Sequence, residues 1–234
     1  MEKKITQRVI GIILAGGSGS RMGADTTKQK MQILGKSVLY RSAYAFEKCE
    51  AVDEIIIVAK EDELDFAREE TAELSKVKRI VRGGSCRAES AKCGFLEVDD
   101  ENSLILIHDA ARCMVLPSDI EAVVNDALEH GCATASCPVV DTIKQVGEDA
   151  RVEKTVPRDN LRAVQTPQGC HYSLYKRAVE ACECLSAVTD DNMLLEAIGL
   201  KPYCSETSRN NIKITTMSDI ALAEFLLAGR GDEV

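Results

Sequence analysis

Two stretches of this chain, IIIVA at residues 55–59 and LILI at 104–107, are apolar at every position. A strand with one wet face alternates apolar and polar residues. An uninterrupted run of this length implies burial on both faces, the pattern of parallel strands covered by helices. Similar strand-like runs occupy 9–14, 78–82 and 133–140, with the first two at 54–59 and 103–108 in full. Between them, amphipathic patterns predict helices at 37–48, 63–74, 87–98 and 118–130, the last bracketed by Ser118 as cap and Gly131 as stop. Strand–helix alternation of this kind gives an α/β sandwich with right-handed crossovers.

The rhythm breaks after Val140. Residues 141–168 are polar, and TIKQV and RVEKTV flank a turn-like GEDA, which predicts a β-hairpin. A lone hairpin is marginal in water, so this one is expected to pair with a symmetry-related copy as the dimerisation arm of a homodimer. Helices are predicted again at 173–185 and 190–198. A short strand, NIKIT, then leads through a Thr216–Asp219 capping pattern into a last helix at 217–227. With no repeat or low-complexity linker, residues 1–234 read as one domain carrying a protruding arm.

A formal net charge of -9 argues against general binding of nucleic acid or anionic membranes, so cations that hold a phosphate must be local. The ten cysteines include no CxxC pair and the three histidines no paired spacing, which argues against zinc. The N-terminal apolar run is short and ends in glycines, so it reads as a first strand rather than a signal peptide. No later run would span a bilayer. Free thiols in a reducing cytoplasm fit this composition.

The chemistry concentrates in LAGGSGSRMG, residues 14–23, directly after the first strand. Ligands of open α/β sheets sit at the carboxyl ends of strands, where glycines let backbone N–H groups approach phosphate oxygens. Arg21 and Lys28 would add positive charge. A tight turn with solvated cations is the bland reading, but two glycines would suffice for that. Neither G-x-G-x-x-G nor G-x-x-x-x-G-K-[ST] can be placed here, which weakens a dehydrogenase or a P-loop enzyme.

That loop followed by Lys28–Gln29, together with HDAAR at 108–112, DTIK at 141–144, PRDNLRAVQTPQ at 157–168, TDD at 189–191 and NIKIT at 211–215, resembles one family over residues 9–227. It is the 2-C-methyl-D-erythritol 4-phosphate cytidylyltransferases of isoprenoid biosynthesis, among the nucleotidyltransferases that activate sugar and alditol phosphates. The resemblance implies a Rossmann-like nucleotidyltransferase sandwich that uses CTP, a small polyol phosphate and Mg2+. It implies that Ala15, Gly16 and Gly17 line the nucleotide, with Gly84, Ser85 and Ser90 near base and ribose and Ala110 bordering the ribose. Arg21 and Lys28 would hold the triphosphate, Asp109 the metal, and Lys213 would join them in catalysis. Arg112, Thr142, Arg158, Thr166, Thr189 and Lys213 would surround the acceptor, Arg158 reaching across the dimer. The chain departs from the family's usual residues at Thr27, Lys30, Cys113 and Arg162, none of which is assigned to chemistry.

Physically, substitution at the α-phosphorus needs in-line positioning and compensation of growing negative charge, not a protein nucleophile. Each residue also has a bland reading. Asp109 could cap a loop, Arg112 could be its structural ion-pair partner, Thr189 could be a helix N-cap, and Lys213 a solvated edge charge. Cys113 reads as an inert thiol. Two other functions stay open: a ribitol 5-phosphate or other nucleotidyltransferase, which shares the loop, and a nucleotide-binding regulatory module without catalysis.

Overall fold

Six consecutive buried residues form the central strand β1 (Val9–Leu14), and the fold grows outward from it on both sides. The computed structural model describes residues 7–16 and 27–230. After β1 come β2 (Gln32–Ile33), β3 (Lys36–Ser37), α1 (Val38–Lys48), β4 (Glu54–Ala59), α2 (Leu64–Glu70), β5 (Val77–Arg82), α3 (Arg87–Leu96) and β6 (Leu104–Asp109). Then follow α4 (Pro117–His130), β7 (Cys132–Pro138), β8 (Ile143–Val146), β9 (Val152–Val156), β10 (Arg162–His171), α5 (Tyr172–Ala181), α6 (Asp191–Ala197), β11 (Tyr203–Glu206) and α7 (Met217–Arg230).

The main sheet has the order β11-β7-β10-β6-β1-β4-β5. β1 pairs in parallel with both β4 and β6, as their continuous apolar sequences imply. Alternate residues serve opposite faces. Val9, Ile13, Ile55 and Ile57 pack with α1 and α4, whereas Ile10, Ile12, Ile56 and Val58 pack with α3, α5 and α6. A third cluster joins Met31, Ile33 and Cys113 to α7. Gly94 sets how closely α3 approaches the sheet: a Cβ there would lie 2.5 Å from Ile12 Cγ2 and 2.7 Å from Val58 Cγ2. None of the described helices is long and apolar enough to cross a membrane.

The structure corrects several expectations. Residues 162–168 belong to β10, which runs antiparallel between β6 and β7 in the main sheet, so they are not part of the arm. The hairpin proper is β8 with β9, a separate two-stranded sheet. NIKIT forms no strand; the Ile214 N–H donates to Ala111 O at 2.7 Å and no ladder develops. The strand beside β7 is instead β11. α4 begins at Pro117 with Asp119 Oδ2 accepting from Leu116 N, so Ser118 lies inside the helix, while Gly131 ends it at φ 86°. α6 is capped by Asp190, which accepts from Met193 N at 3.1 Å, so Thr189 lies one residue outside the cap. The Thr216–Asp219 pattern does open α7, with Asp219 Oδ2 accepting from Thr215 N and Thr216 N, each at 2.7 Å.

Candidate active site

β1 hands the chain on to β4 on one side and lies beside β6 on the other, so a crevice opens at the carboxyl ends of these strands. A cavity of about 450 Å3 fills it. Its walls come from the ends of β1 (Gly16), β4 (Lys60), β5 (Gly83, Gly84) and β6 (Asp109), with Lys28, Lys213 and the first turn of α3.

Asp109 ends the apolar run LILIH and is 8% exposed. Burial alone would raise its pKa, but Arg87 and Lys213 overturn that and hold the carboxyl well below the usual range. Arg87 Nε donates to Oδ1 at 2.8 Å, and Lys213 Nζ donates to Oδ2 at 2.6 Å. Arg87 also sends Nη1 to Asp191 Oδ2 at 2.7 Å. Burial disfavours its charge, yet the two carboxylates raise its pKa and keep it cationic. Asp191 in turn accepts from the Tyr175 hydroxyl and donates its N–H to Gln168 Oε1. Arg87 therefore ties α3, β6 and α6 together at the cavity wall.

The wall after β5 is backbone-rich for a steric reason. A Cβ on Gly84 would sit 2.4 Å from Glu89 Cβ, so only glycine lets the loop fold onto α3. Gly84 N donates to Ser90 Oγ at 3.1 Å, while Ser85 N and Oγ both donate to Glu89 Oε2. The loop is thus held in shape by its own helix.

Beneath the cavity floor, His108 is fully buried, and burial drives its pKa down to about 3. Its Nδ1 lies 3.0 Å from Thr166 Oγ1, which also accepts from Asp109 N at 3.1 Å. A hydroxyl has one proton and two lone pairs, so Thr166 can donate to the neutral ring and accept from the strand at once. Arg112 does not pair with Asp109. Its Nη1 donates to Asn211 O at 2.9 Å, its Nε is buried without a hydrogen-bond partner among the described residues, and burial lowers its pKa.

The sequence model of the 2-C-methyl-D-erythritol 4-phosphate cytidylyltransferase family matches residues 9–229. The chain belongs to this family. It is 38% identical over 223 residues to the family's enzyme from Clostridium perfringens, covering 94% of this chain and 99% of that one. It is 41% identical over 220 residues to that from Clostridium acetobutylicum, covering 92% and 96%. Among solved structures, the 4-diphosphocytidyl-2C-methyl-D-erythritol synthase of Anaerococcus prevotii superposes with a TM-score of 0.83 at 28% identity, covering 95% of this chain and 96% of that one.

Of the residues that the cytidylyltransferase resemblance points to, the cavity wall includes Gly16, Lys28, Gly84, Ser85, Ser90, Asp109 and Lys213. Ala15 and Ala110 are buried beneath it. Their N–H groups are bonded to Val58 O and Leu14 O, so a nucleotide would meet these residues through other atoms. Thr166 is 4% exposed and faces His108 and Asp109 rather than the cavity. Thr142 and Arg158 are exposed at the arm, where Arg158 Nη1 donates to Val140 O. Thr189 is exposed, its hydroxyl directed at Met193 Sδ at 3.0 Å. Gly17 and Arg21 lie outside the described residues.

Arg87, Asp191 and Asn211 escaped the sequence reading. For Arg87 a signal existed: a cation in the first turn of a helix opposes the macrodipole, so it calls for carboxylate partners from elsewhere.

Proposed function

We propose that this chain transfers the cytidylyl group of CTP to the phosphate of 2-C-methyl-D-erythritol 4-phosphate and releases pyrophosphate, as its family relatives are named to do, in the cytoplasm and for isoprenoid biosynthesis. The observation that carries this reading is the convergence of Lys28, Asp109 and Lys213 on one cavity at the switch point of the sheet. An acceptor phosphate oxygen attacks the α-phosphorus as the bond to the β-phosphate oxygen breaks, and pyrophosphate departs. The acceptor phosphate is already anionic, so no strong base is needed. Charge compensation and alignment are what the protein supplies. Lys28 and Arg21 hold the triphosphate, with Gly16, Gly17, Ala15, Ala110, Gly84, Ser85 and Ser90 around the nucleoside. Arg112, Lys213, Thr142 and Thr189 face the acceptor, and Thr166 supports Asp109 from below.

Magnesium suits this donor set. Among the described residues no three His, Cys, Asp or Glu side chains cluster as a cage, and Asp109 offers a single carboxylate whose oxygens each retain an unused lone pair. One protein carboxylate plus substrate phosphates is the usual magnesium site. When bound, the ion would neutralise phosphate charge beside Asp109.

The working form in this reading is a homodimer. Cross-strand pairs Ile143–Val156 and Val146–Val152 place apolar residues on the hairpin, and Val146 and Val152 are 52% and 59% exposed. A second arm would cover them, carrying Arg158 to the partner's acceptor site. The cytoplasmic placement fits ten free thiols, of which Cys184 and Cys204 are exposed.

The test offers CTP and Mg2+ with either 2-C-methyl-D-erythritol 4-phosphate or ribitol 5-phosphate and records pyrophosphate. Release with the first and little with the second supports the reading; the reverse assigns the chain to the other acceptor.

A further inference from the structure

Arg112 and Lys213 come from distant parts of the chain, and neither lies in a strand or helix. Arg112 sits in the turn three residues past the end of β6, its N–H bonded to Asp109 O at 2.9 Å. Lys213 lies in residues 207–216, which belong to no strand or helix. A lysine on an irregular segment has no inherent reason to meet Asp109 at 2.6 Å.

The segment is anchored at Ile214, whose N–H donates to Ala111 O at 2.7 Å, and through its side chain at Asn211, which is 0% exposed. Its side-chain Nδ2 donates to Gln165 Oε1 at 3.1 Å and to Thr166 O at 2.9 Å, pinning the segment to β10. Its backbone carbonyl accepts from Arg112 Nη1 at 2.9 Å. Two residues of chain span at most about 7 Å, so fixing Asn211 restrains the root of Lys213 as well. Asn211 thus bonds Arg112 and restrains the chain at Lys213, against the strand whose Thr166 supports Asp109.

We propose that Asn211 is the positioning residue for the acceptor-binding cations Arg112 and Lys213. It touches no substrate and acts through these two side chains. The proposal deepens the cytidylyl-transfer reading and rests on it.

The test is Asn211→Ala, compared with Thr207→Val. Thr207 is also buried and its hydroxyl lies 3.2 Å from the same Gln165 Oε1, but it contacts neither cation. Loss of alignment at reacting groups costs up to about a hundredfold, so Asn211→Ala is expected to raise the KM for the acceptor and lower kcat, together by at least about tenfold in kcat/KM. The Kd for CTP, read by calorimetry, stays within about twofold. Thr207→Val lowers Tm without that kinetic signature. If Asn211→Ala does not fold, Gln165→Leu removes one of its two amide acceptors and carries the same test at smaller amplitude. Unchanged acceptor kinetics in Asn211→Ala, or the same kinetic loss in Thr207→Val, overturns the proposal. A wild-type chain that releases no pyrophosphate with this acceptor overturns the underlying reaction, and the role of Asn211 with it.

Discussion

Arg87 Nε lies 2.8 Å from Asp109 Oδ1, in the first turn of α3, where a cation is electrostatically out of place. The contact is stable because the same guanidinium also meets Asp191, whose side chain is 3% exposed. The planar fork serves two carboxylates in different directions, which an ammonium cannot do with the same geometry.

Arg87→Met should therefore damage stability and activity together. It leaves Asp191 and Asp109 without their shared cation. Breaking a buried ion pair from one side costs about 3–5 kcal/mol. Denaturant unfolding should show a loss of that order, and turnover should fall because Asp109 loses one of its two anchors. Arg87→Lys should recover only part of either. Wild-type stability and turnover in Arg87→Met would show that the triad is ornamental.

His108 predicts a pH dependence of stability. Burial lowers its folded pKa to about 3 from 6.5, so as pH falls through the ordinary histidine range the unfolded chain takes up a proton that the folded chain refuses. Its contribution is complete above the unfolded value and is lost progressively as pH drops toward the folded one. The slope approaches about 1.4 kcal/mol per pH unit within that window. Unfolding measured between pH 7 and pH 4 should show this leg, and His108→Gln should flatten it. An equal slope in the variant would assign the acid sensitivity elsewhere.

CTP should be preferred over ATP and GTP. The wall that would receive the base is backbone and small side chains at Gly83–Ser85, closed by Glu89 and Ser90, and has little freedom to widen. A purine would collide there or leave polar groups unbonded. Initial rates with the three nucleotides at equal concentration test this; comparable rates would contradict it.

The shared-site dimer is tested by complementation. Arg158→Ala should weaken acceptor use and spare CTP binding, and Lys28→Ala should cripple the nucleotide side. Each alone has two defective sites per dimer, but a mixed dimer has one site free of both changes. Random exchange should thus restore about a quarter of wild-type sites. No recovery despite demonstrated exchange would place Arg158 outside the partner's site.

The sandwich from β1 to β7 was legible because its strands are buried by their own apolar residues, a local property of sequence. β10 was not. Its buried Gln165, Thr166 and Gln168 look solvent-facing, and their partners Asn211, His108 and Asp190 lie far away in the chain. NIKIT shows the converse error: its apolar–polar alternation mimics a strand, whereas Ile214 packs into the α7 cluster and a side-chain amide replaces the ladder. Glycines and cations around the cavity stood out by composition. Arg87 and Asn211 act through groups brought together only by folding.

In the reaction proposed for this cavity, an acceptor phosphate oxygen displaces pyrophosphate from CTP. 31P NMR of one incubation of the wild-type chain with CTP, Mg2+ and 2-C-methyl-D-erythritol 4-phosphate follows both phosphorus products at once. The acceptor's monophosphate signal should give way to a coupled pair of diphosphate resonances, with one pyrophosphate formed per product and neither appearing with Asp109→Asn. A persisting acceptor monophosphate signal, or pyrophosphate formed without the diphosphate product, would contradict it.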